Sequence, residues 1–207
     1  MKVILINGSP NEYGCTYTAL AEIAKTLGQN GVESEIIHIG KRPIRGCQDC
    51  EVCGRDHCHC VFNDDVVNLV VERMREADGL IVGSPVYYAS ANGSVICLLD
   101  RAFRVGKCFA HKPAAAIASA RRAGTTATMD ELNKYFLHDQ MPIVSSTYWP
   151  AVHGCTPEEV LKDEEGMQTM RNLARNMAWL LQSIEAAKKA GIEPPAAERN
   201  YRTDYIR

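Results

Sequence analysis

The sequence predicts an α/β fold in which helices cover both faces of a five-stranded parallel sheet. Short apolar runs alternate along the chain with longer segments whose apolar residues recur at helical spacing. The first apolar run shows no in–out alternation, which is typical of a strand buried on both faces of a parallel sheet. Together, these observations indicate a three-layer, doubly wound arrangement.

The first strand and helix have the clearest patterns. Residues 3–6 are continuously apolar and stop at the Gly-Ser-Pro turn of residues 8–10. Residues 16–27 carry apolar side chains at helical spacing, and glycines that can end a helix follow them. Residues 32–39 are the second predicted strand.

A cysteine-rich loop over residues 45–62 precedes the next strand–helix unit. Residues 63–65, Asn-Asp-Asp, supply N-cap candidates and negative charge for a helix that continues to about residue 77. Residues 79–82 form the third predicted strand because they are apolar and end before a Ser-Pro turn. The helix that follows covers residues 94–103.

Two further strands and helices complete the predicted fold. Residues 113–119 are small and alanine-rich, which suits a strand packed closely beneath helices. Residues 126–137 are predicted as a helix, residues 142–146 as the fifth strand and residues 167–190 as a long final helix. The extension over residues 191–207 contains prolines and charges, and is either mobile or an arm that packs on a partner subunit.

Right-handed crossovers turn this alternation into a doubly wound sheet. Its five strands favour the flavodoxin-like order 2-1-3-4-5 over the six-stranded dinucleotide-binding fold. Ligands of such sheets bind beyond the carboxyl ends of strands 1 and 3, which are followed here by residues 8–10 and 84–88. The topology therefore brings two motif-like turns together in one domain, residues 1–190.

Composition excludes several classes of function. The 207 residues carry 23 Lys and Arg against 25 Asp and Glu, and this balance argues against nucleic-acid binding, which needs a basic footprint. No apolar run approaches the roughly 18–20 residues that span a bilayer, and the N-terminal run is too short for a signal peptide. We therefore expect a cytoplasmic protein with no nucleic-acid or membrane partner.

The turn after strand 1 is a candidate phosphate site. It lacks the dinucleotide fingerprint and the Gly-Lys-Ser/Thr ending of an NTPase loop, so it disfavours ATP and GTP. Its hydroxyls, amide and helix-start N–H groups can bind a phosphate dianion without a lysine, as FMN requires. Ser9 and Thr16 could alternatively be ordinary capping residues. The candidate residues are Ser9, Pro10, Asn11, Cys15, Thr16, Tyr17 and Thr18.

The turns after strands 3 and 4 are candidates for holding a flavin ring. A flavin needs a flat apolar or aromatic wall and backbone groups for its pyrimidine edge. Two tyrosines could supply the wall, although one could instead pack in the core. The arginines after strand 4 could stabilise a reduced flavin or hold a nicotinamide-cofactor phosphate, or be solvated. The candidates are Pro85, Val86, Tyr87, Tyr88, Ser119, Arg121 and Gly124.

The cysteine-rich loop is a candidate metal centre. Cys47, Cys50 and Cys53 are equally spaced, which resembles the compact run that ligates a [4Fe–4S] cluster more than the two separated knuckles of a structural zinc site. The spacing leaves the fourth ligand open between Cys58 and Cys60. Zinc bound with one of the nearby histidines, His57 and His59, is an alternative, as are free thiols or disulfides.

These motifs, in this order, resemble the iron–sulfur flavoproteins of anaerobic microbes, within the flavodoxin-like NAD(P)H-dependent FMN reductases and quinone reductases. The resemblance spans residues 2–185. The matching segments are residues 8–10 with Thr16, the cysteine run leading into residues 64–65, and residues 77–79, 84–88, 100–101 and 166–169. It implies bound FMN, assembly into homodimers or homotetramers, and a [4Fe–4S] cluster on Cys47, Cys50, Cys53 and Cys60.

Three positions depart from the family pattern. Asn11 stands where the family usually has arginine, and Cys15 where it often has asparagine or serine, so both bear on FMN affinity. The spacing from Cys53 to Cys60 is longer than in cluster-bearing relatives, which bears on cluster binding.

The leading hypothesis is an FMN-dependent oxidoreductase that passes electrons between FMN and a [4Fe–4S] cluster, with ferredoxin, NAD(P)H or a quinone as electron partner. The cofactors would carry the redox chemistry, so we assign no catalytic residue. One alternative is a cluster-free NAD(P)H-dependent FMN or quinone reductase. Another is a non-enzymatic zinc or redox sensor.

Overall fold

The computed structural model of the chain describes residues 1–54, 59–106, 108–203 and 205. The strands are β1 Lys2–Asn7, β2 Glu33–His38, β3 Gly79–Tyr87, β4 Ser90–Ala91, β5 Ala114–Ala120 and β6 Ala151–His153. The helices are α1 Cys15–Gln29, α2 Val67–Glu76, α3 Gly93–Gly106, α4 Thr125–His138, α5 Pro157–Val160 and α6 Glu164–Lys189, with a 3-10 turn at Val52–Gly54.

The parallel strands follow the order β2-β1-β3-β5-β6, so the predicted flavodoxin-like α/β fold is confirmed. The described sheet has six strands rather than five because the chain folds back after β3. The two-residue strand β4 pairs antiparallel with the end of β3, where Val86 lies opposite Ala91. Strand β3 also continues to Tyr87, although the sequence pattern placed its end at residue 82.

The fifth parallel strand was predicted in the wrong place. In the predicted segment, residues 142–146, Ile143 forms only an isolated bridge to Ala114, and the strand at this edge is β6. The chain leaves the sheet here because polar groups of residues 145 and 146 form hydrogen bonds with α6 instead. Asn176 donates to the carbonyl of Ser145 at 2.8 Å, and the Ser146 hydroxyl donates to the carbonyl of Thr169 at 2.7 Å.

Both faces of the sheet are buried, as the pattern of the first strand predicts. Val3 and Leu5 contribute to a core shared with α1 and α6, and Ile4 and Ile6 to a core shared with α2, α3 and α4. All four side chains are fully buried. The three-layer arrangement therefore follows from one continuously apolar strand that needs helices on both sides.

The chain after α6 forms no regular element within residues 190–203. Ala197, Glu198 and Arg199 line a groove with residues of α3 and α4. The division of the chain at residue 190 stays a prediction. In the described residues, none of the helices combines the length and apolar character needed to cross a membrane.

We predict that Lys112→Met lowers the free energy of unfolding by about 2 kcal/mol, because hydrogen bonds to a charged group are lost and carbonyls are left unpaired. The Lys112 ammonium donates to the carbonyls of Met74, Arg75 and Ala77 at 2.9, 2.7 and 2.6 Å, where it caps the end of α2. Urea unfolding measures the change. The exposed Lys25→Met is the matched control, and equal effects of both would contradict the prediction.

Candidate functional site

The turn between β1 and α1 is organised by Asn7, the last residue of β1. The Asn7 side chain donates to the carbonyl of Glu12 at 2.9 Å and accepts from the N–H of Ser9 at 3.2 Å. The Ser9 hydroxyl in turn accepts from the N–H of Asn11 at 3.1 Å. Sequence analysis missed Asn7, although a polar residue that ends an apolar strand next to a turn was an available signal.

The start of α1 presents uncapped N–H groups. Gly14 is the N-cap, and because glycine has no side chain, it offers these groups no acceptor. The first turn also contains no acidic residue. Such a helix start attracts anions, since its N–H groups and the positive end of the helix dipole point the same way.

Two of the candidate hydroxyls are used within the protein. The Thr16 hydroxyl is buried and shares a 2.8 Å hydrogen bond with the Ser119 hydroxyl, which joins the start of α1 to the end of β5. The Thr18 hydroxyl donates to the carbonyl of Gly14 at 3.2 Å. Of the hydroxyls predicted to face a phosphate, that of Ser9 remains beside the uncapped helix start.

The other candidates of this turn have different surroundings. Pro10 is half-buried and Asn11 is exposed. The Cys15 thiol donates to the carbonyl of Gly154 at 3.7 Å, and burial raises its pKa. The Tyr17 ring packs edge-on against the ring of Tyr13, with 5.1 Å between centroids. Asn11, Cys15 and Tyr17 therefore contribute to a folded, partly exposed turn.

The second turn begins within the end of β3 and exposes both tyrosines. Tyr87 is 45% exposed and Tyr88 fully exposed, so neither packs in the core, contrary to one alternative of the sequence analysis. Pro85 and Val86 are half-buried beneath them. Tyr88 has a φ of 52°, a left-handed conformation that is uncommon outside glycine.

Gly124 is the point where the third turn meets the second. It has a φ of 92°, and a Cβ atom there would lie 2.8 Å from Cα of Ala89 and 2.9 Å from Cγ1 of Val86. Only glycine fits this conformation and this approach. Arg121, on the same turn, is exposed.

Asn92 joins the first and second turns. Its side chain donates to the carbonyl of Gly8 at 2.8 Å, and its N–H donates to the hydroxyl of Ser84 at 2.9 Å. Ser84 belongs to the predicted turn of residues 84–88, whereas Asn92 was not predicted, because its role depends on two loops that are distant in the chain. With the Thr16–Ser119 bond and the Gly124 contact, the three turns form one continuous edge of the sheet.

A second candidate site lies in the cysteine-rich loop. Cys47, Cys50, Cys53 and Cys60 all line one pocket. Cys47 and Cys50 are exposed, Cys53 is half-buried, and Cys60 is buried in the core. The residue type is right for iron–sulfur ligation, since cysteine thiolates hold such clusters.

The four cysteines of this pocket are not grouped closely enough to hold a metal ion. Within residues 1–54, 59–106, 108–203 and 205, no three Cys, His, Asp or Glu side chains are close enough to hold a metal ion. His57 and Cys58, the latter the other candidate for fourth ligand, lie outside the described residues, whereas His59 is described and exposed.

Cys60 is held by its main chain and by its sulfur. Its N–H donates to the Asn68 side chain at 2.7 Å, and the Asn68 amide donates back to the Cys60 carbonyl at 2.9 Å. Nε of Arg101 donates to the Cys60 sulfur at 3.3 Å, and the same guanidinium pairs with the buried Asp65 carboxylate. Burial opposes the charge of Arg101, but its bonds to Asp65 and Cys60 outweigh this effect and raise its pKa.

Asp65 has a second role at the start of α2. Its carboxylate accepts from the N–H of Val67 at 3.1 Å. The N-cap of α2 is nevertheless Val66, which has no side-chain cap hydrogen bond, so the prediction that one of residues 63–65 is the N-cap was wrong. The ion pair with Arg101 was not foreseen, because the sequence pattern relates Asp65 only to the helix that follows it.

Comparison with known proteins identifies the family. Residues 1–155 match the family of NADPH-dependent FMN reductases. An iron–sulfur flavoprotein of Methanocaldococcus jannaschii is 31% identical over 194 residues, which cover 89% of this chain and 100% of that protein. An iron–sulfur flavoprotein of Archaeoglobus fulgidus is 31% identical over 209 residues, covering 98% and 99% of the two chains.

Solved structures agree with this assignment at the level of the fold. An NAD(P)H:quinone oxidoreductase from Methanothermobacter marburgensis has a TM-score of 0.65 at 17% identity, covering 86% of this chain and 96% of the other. A flavodoxin from the Archaea has a TM-score of 0.59 at 13% identity, covering 88% and 99%. The chain therefore belongs to the NADPH-dependent FMN reductase family and is a flavin-dependent oxidoreductase.

Proposed function

We propose that the protein is an iron–sulfur flavoprotein that passes electrons between FMN and a [4Fe–4S] cluster held by Cys47, Cys50, Cys53 and Cys60. The observation that carries this proposal is the shared pocket of the four cysteines, in a chain of an FMN reductase family. The names of the archaeal relatives, iron–sulfur flavoproteins of nearly the same length, support it. FMN exchanges two electrons as a hydride or one at a time, whereas a cluster exchanges one.

The FMN phosphate would bind at the start of α1. The supporting features are the uncapped N–H groups of the first turn, the Ser9 hydroxyl beside them and the exposed side chain of Asn11. Cys15, Thr16 and Tyr17 would contribute their N–H groups. The Thr16 hydroxyl, bonded to Ser119, would position the helix start rather than contact the phosphate.

The flavin ring would lie over the second turn. The exposed faces of Tyr87 and Tyr88 offer an aromatic wall, and the backbone of residues 85–89 offers hydrogen-bond groups for the pyrimidine edge. The exposed Arg121, on the turn that contacts this segment through Gly124, would stabilise a reduced flavin.

A cluster-free NAD(P)H-dependent FMN or quinone reductase is the second candidate. The specific observation in its favour is that the cysteines, although they share a pocket, are not at metal-binding distance among the described residues. The family assignment favours either reductase over a non-enzymatic zinc or redox sensor.

The family supports a proposal for the electron donor. NADPH is the donor that the family name indicates, an NAD(P)H:quinone oxidoreductase shares the fold, and we propose a quinone or ferredoxin as the acceptor. We also propose a cytoplasmic homodimer or homotetramer. None of the described helices could span a membrane.

Protein purified without oxygen should contain FMN together with about four iron atoms and four acid-labile sulfides per chain, as a [4Fe–4S] cluster requires. Cys60→Ser should lose most of the iron and keep FMN, because Cys60 belongs to the cysteine pocket. Cys108→Ser, at an exposed cysteine outside that pocket, is the control and should keep both. Wild-type protein with FMN and no iron would select the cluster-free reductase.

Asn11→Arg should tighten FMN binding roughly tenfold at low salt, because it adds a charge-assisted hydrogen bond to the phosphate. Quenching of FMN fluorescence measures the dissociation constant. Riboflavin, which lacks the phosphate, provides the control, and its affinity should not change. An equal gain for riboflavin would contradict the placement of the phosphate at this turn.

Gly124→Ala should weaken FMN binding and lower the free energy of unfolding by about 1–2 kcal/mol, because the new Cβ forces a left-handed residue against Ala89. Gly93→Ala is the matched control, since a Cβ there meets nothing within 4 Å. Thermal unfolding and FMN titration measure both effects. A Gly124 variant that behaves like the Gly93 variant would show that the loop contact does not shape the site.

A further inference from the structure

We propose that Arg101 is a positioning residue that orients the sulfur of Cys60 and raises the reduction potential of the cluster bound there. The inference rests on the proposed function, because it requires a cluster on Cys60. It adds a residue outside the cysteine run, which the spacing of the ligands does not indicate.

Three acceptors besides the Cys60 sulfur hold the guanidinium of Arg101. Nη1 contacts the Asp65 carboxylate and the carbonyl of Arg45, the latter at 3.3 Å, and Nη2 donates to the carbonyl of Phe62 at 3.1 Å. Arg101 is 1% exposed and one of the largest fully buried side chains. With this plane fixed, Nε points at the Cys60 sulfur, 3.3 Å away.

The Cys60 sulfur is an unusual partner for a buried cation. A neutral thiol is a weak acceptor, whereas a thiolate or a metal-bound sulfur carries negative charge and accepts strongly. Burying a guanidinium is costly unless all of its donors meet good acceptors. A negatively charged sulfur at Cys60, as cluster binding would create, would therefore give the guanidinium another good acceptor beside Asp65 and the two carbonyls.

Cys60 is buried and its sulfur accepts a hydrogen bond from Arg101, whereas Cys47 lines the same pocket and is exposed. Asn68 holds the main chain of Cys60 on both sides, and Arg101 holds its sulfur, so the whole residue is fixed. A ligand fixed in this way would let protein hydrogen bonds act on a bound cluster.

The contact predicts the sign of an electrostatic effect. One-electron reduction adds a negative charge to the cluster and its sulfurs, without making or breaking a bond at Cys60. An N–H donor and a positive charge beside the sulfur stabilise the reduced form more than the oxidised form, so they raise the potential. The Asp65 carboxylate, paired with Arg101, opposes part of this effect.

Two substitutions should therefore shift the potential in opposite directions. Arg101→Gln removes the charge and leaves Asp65, so it should lower the ratio of reduced to oxidised cluster at a fixed potential roughly tenfold, about 59 mV for a one-electron couple. Asp65→Asn should raise this ratio, and its Oδ1 can still accept from the N–H of Val67. The potential of Arg101→Lys should lie between those of wild type and Arg101→Gln, because lysine keeps the charge but lacks the several fixed N–H donors of the guanidinium.

The experiment is an anaerobic potentiometric titration of the holoprotein with dithionite, followed by the electron paramagnetic resonance signal of the reduced cluster. Arg104→Gln is the matched control, because Arg104 lines the same pocket from the same helix but is exposed and pairs with Asp49. Its solvent-screened charge should change the potential much less than that of Arg101. FMN content and thermal unfolding report whether each variant folds.

The outcomes separate this inference from the proposed function. Wild type without iron would overturn both. A wild-type cluster whose potential is unchanged in the Arg101 and Asp65 variants would overturn the inference and leave the proposed function standing. If Arg101→Gln does not hold the cluster, Arg101→Lys and Asp65→Asn decide the question, since shifts of the same sign in these two would contradict the proposed electrostatic effect.

Discussion

Strand β1 buries both of its faces, and the rest of the structure depends on this constraint. Side chains that alternate between two apolar cores require helices on both sides, and these helices can be reached only by crossovers from parallel strands. The apolar run must also end abruptly. At Asn7 the strand passes from an apolar core to a polar edge. The side-chain amide of Asn7 bonds to the backbone of Ser9 and Glu12 and so holds the following turn.

The same edge is held by polar side chains, and Asn7 and Asn92 each make more than one contact. Asn92 joins two turns, Asn7 folds one of them, and the Thr16–Ser119 pair joins a helix to a strand. Because buried polar groups are costly when unpaired, these contacts allow few alternative loop arrangements. The turns are therefore preorganised by hydrogen bonds within the protein, and the helix start can hold a dianion with neutral groups.

The sequence predicts those parts of the fold that depend on local pattern. Residues 3–6 were identified as a strand because apolar continuity alone defines it. Strand β6 was missed because the edge position is decided by α6, whose Asn176 takes a carbonyl that a strand would have used. Likewise, Cys60 and Arg101 lie 41 residues apart, so only the fold brings them into contact.

The buried Arg101–Asp65 pair is weak evidence for stability, because desolvation of two charges offsets much of their attraction. An apolar pair of similar volume could join α3 to the start of α2 at less cost. What an apolar pair could not do is present an N–H group to a sulfur in a fixed direction. The two candidate sites thus treat negative charge differently. Backbone dipoles would suit the proposed phosphate, whose charge is constant, whereas a fixed cation would suit the proposed cluster ligand, whose charge would change with each electron.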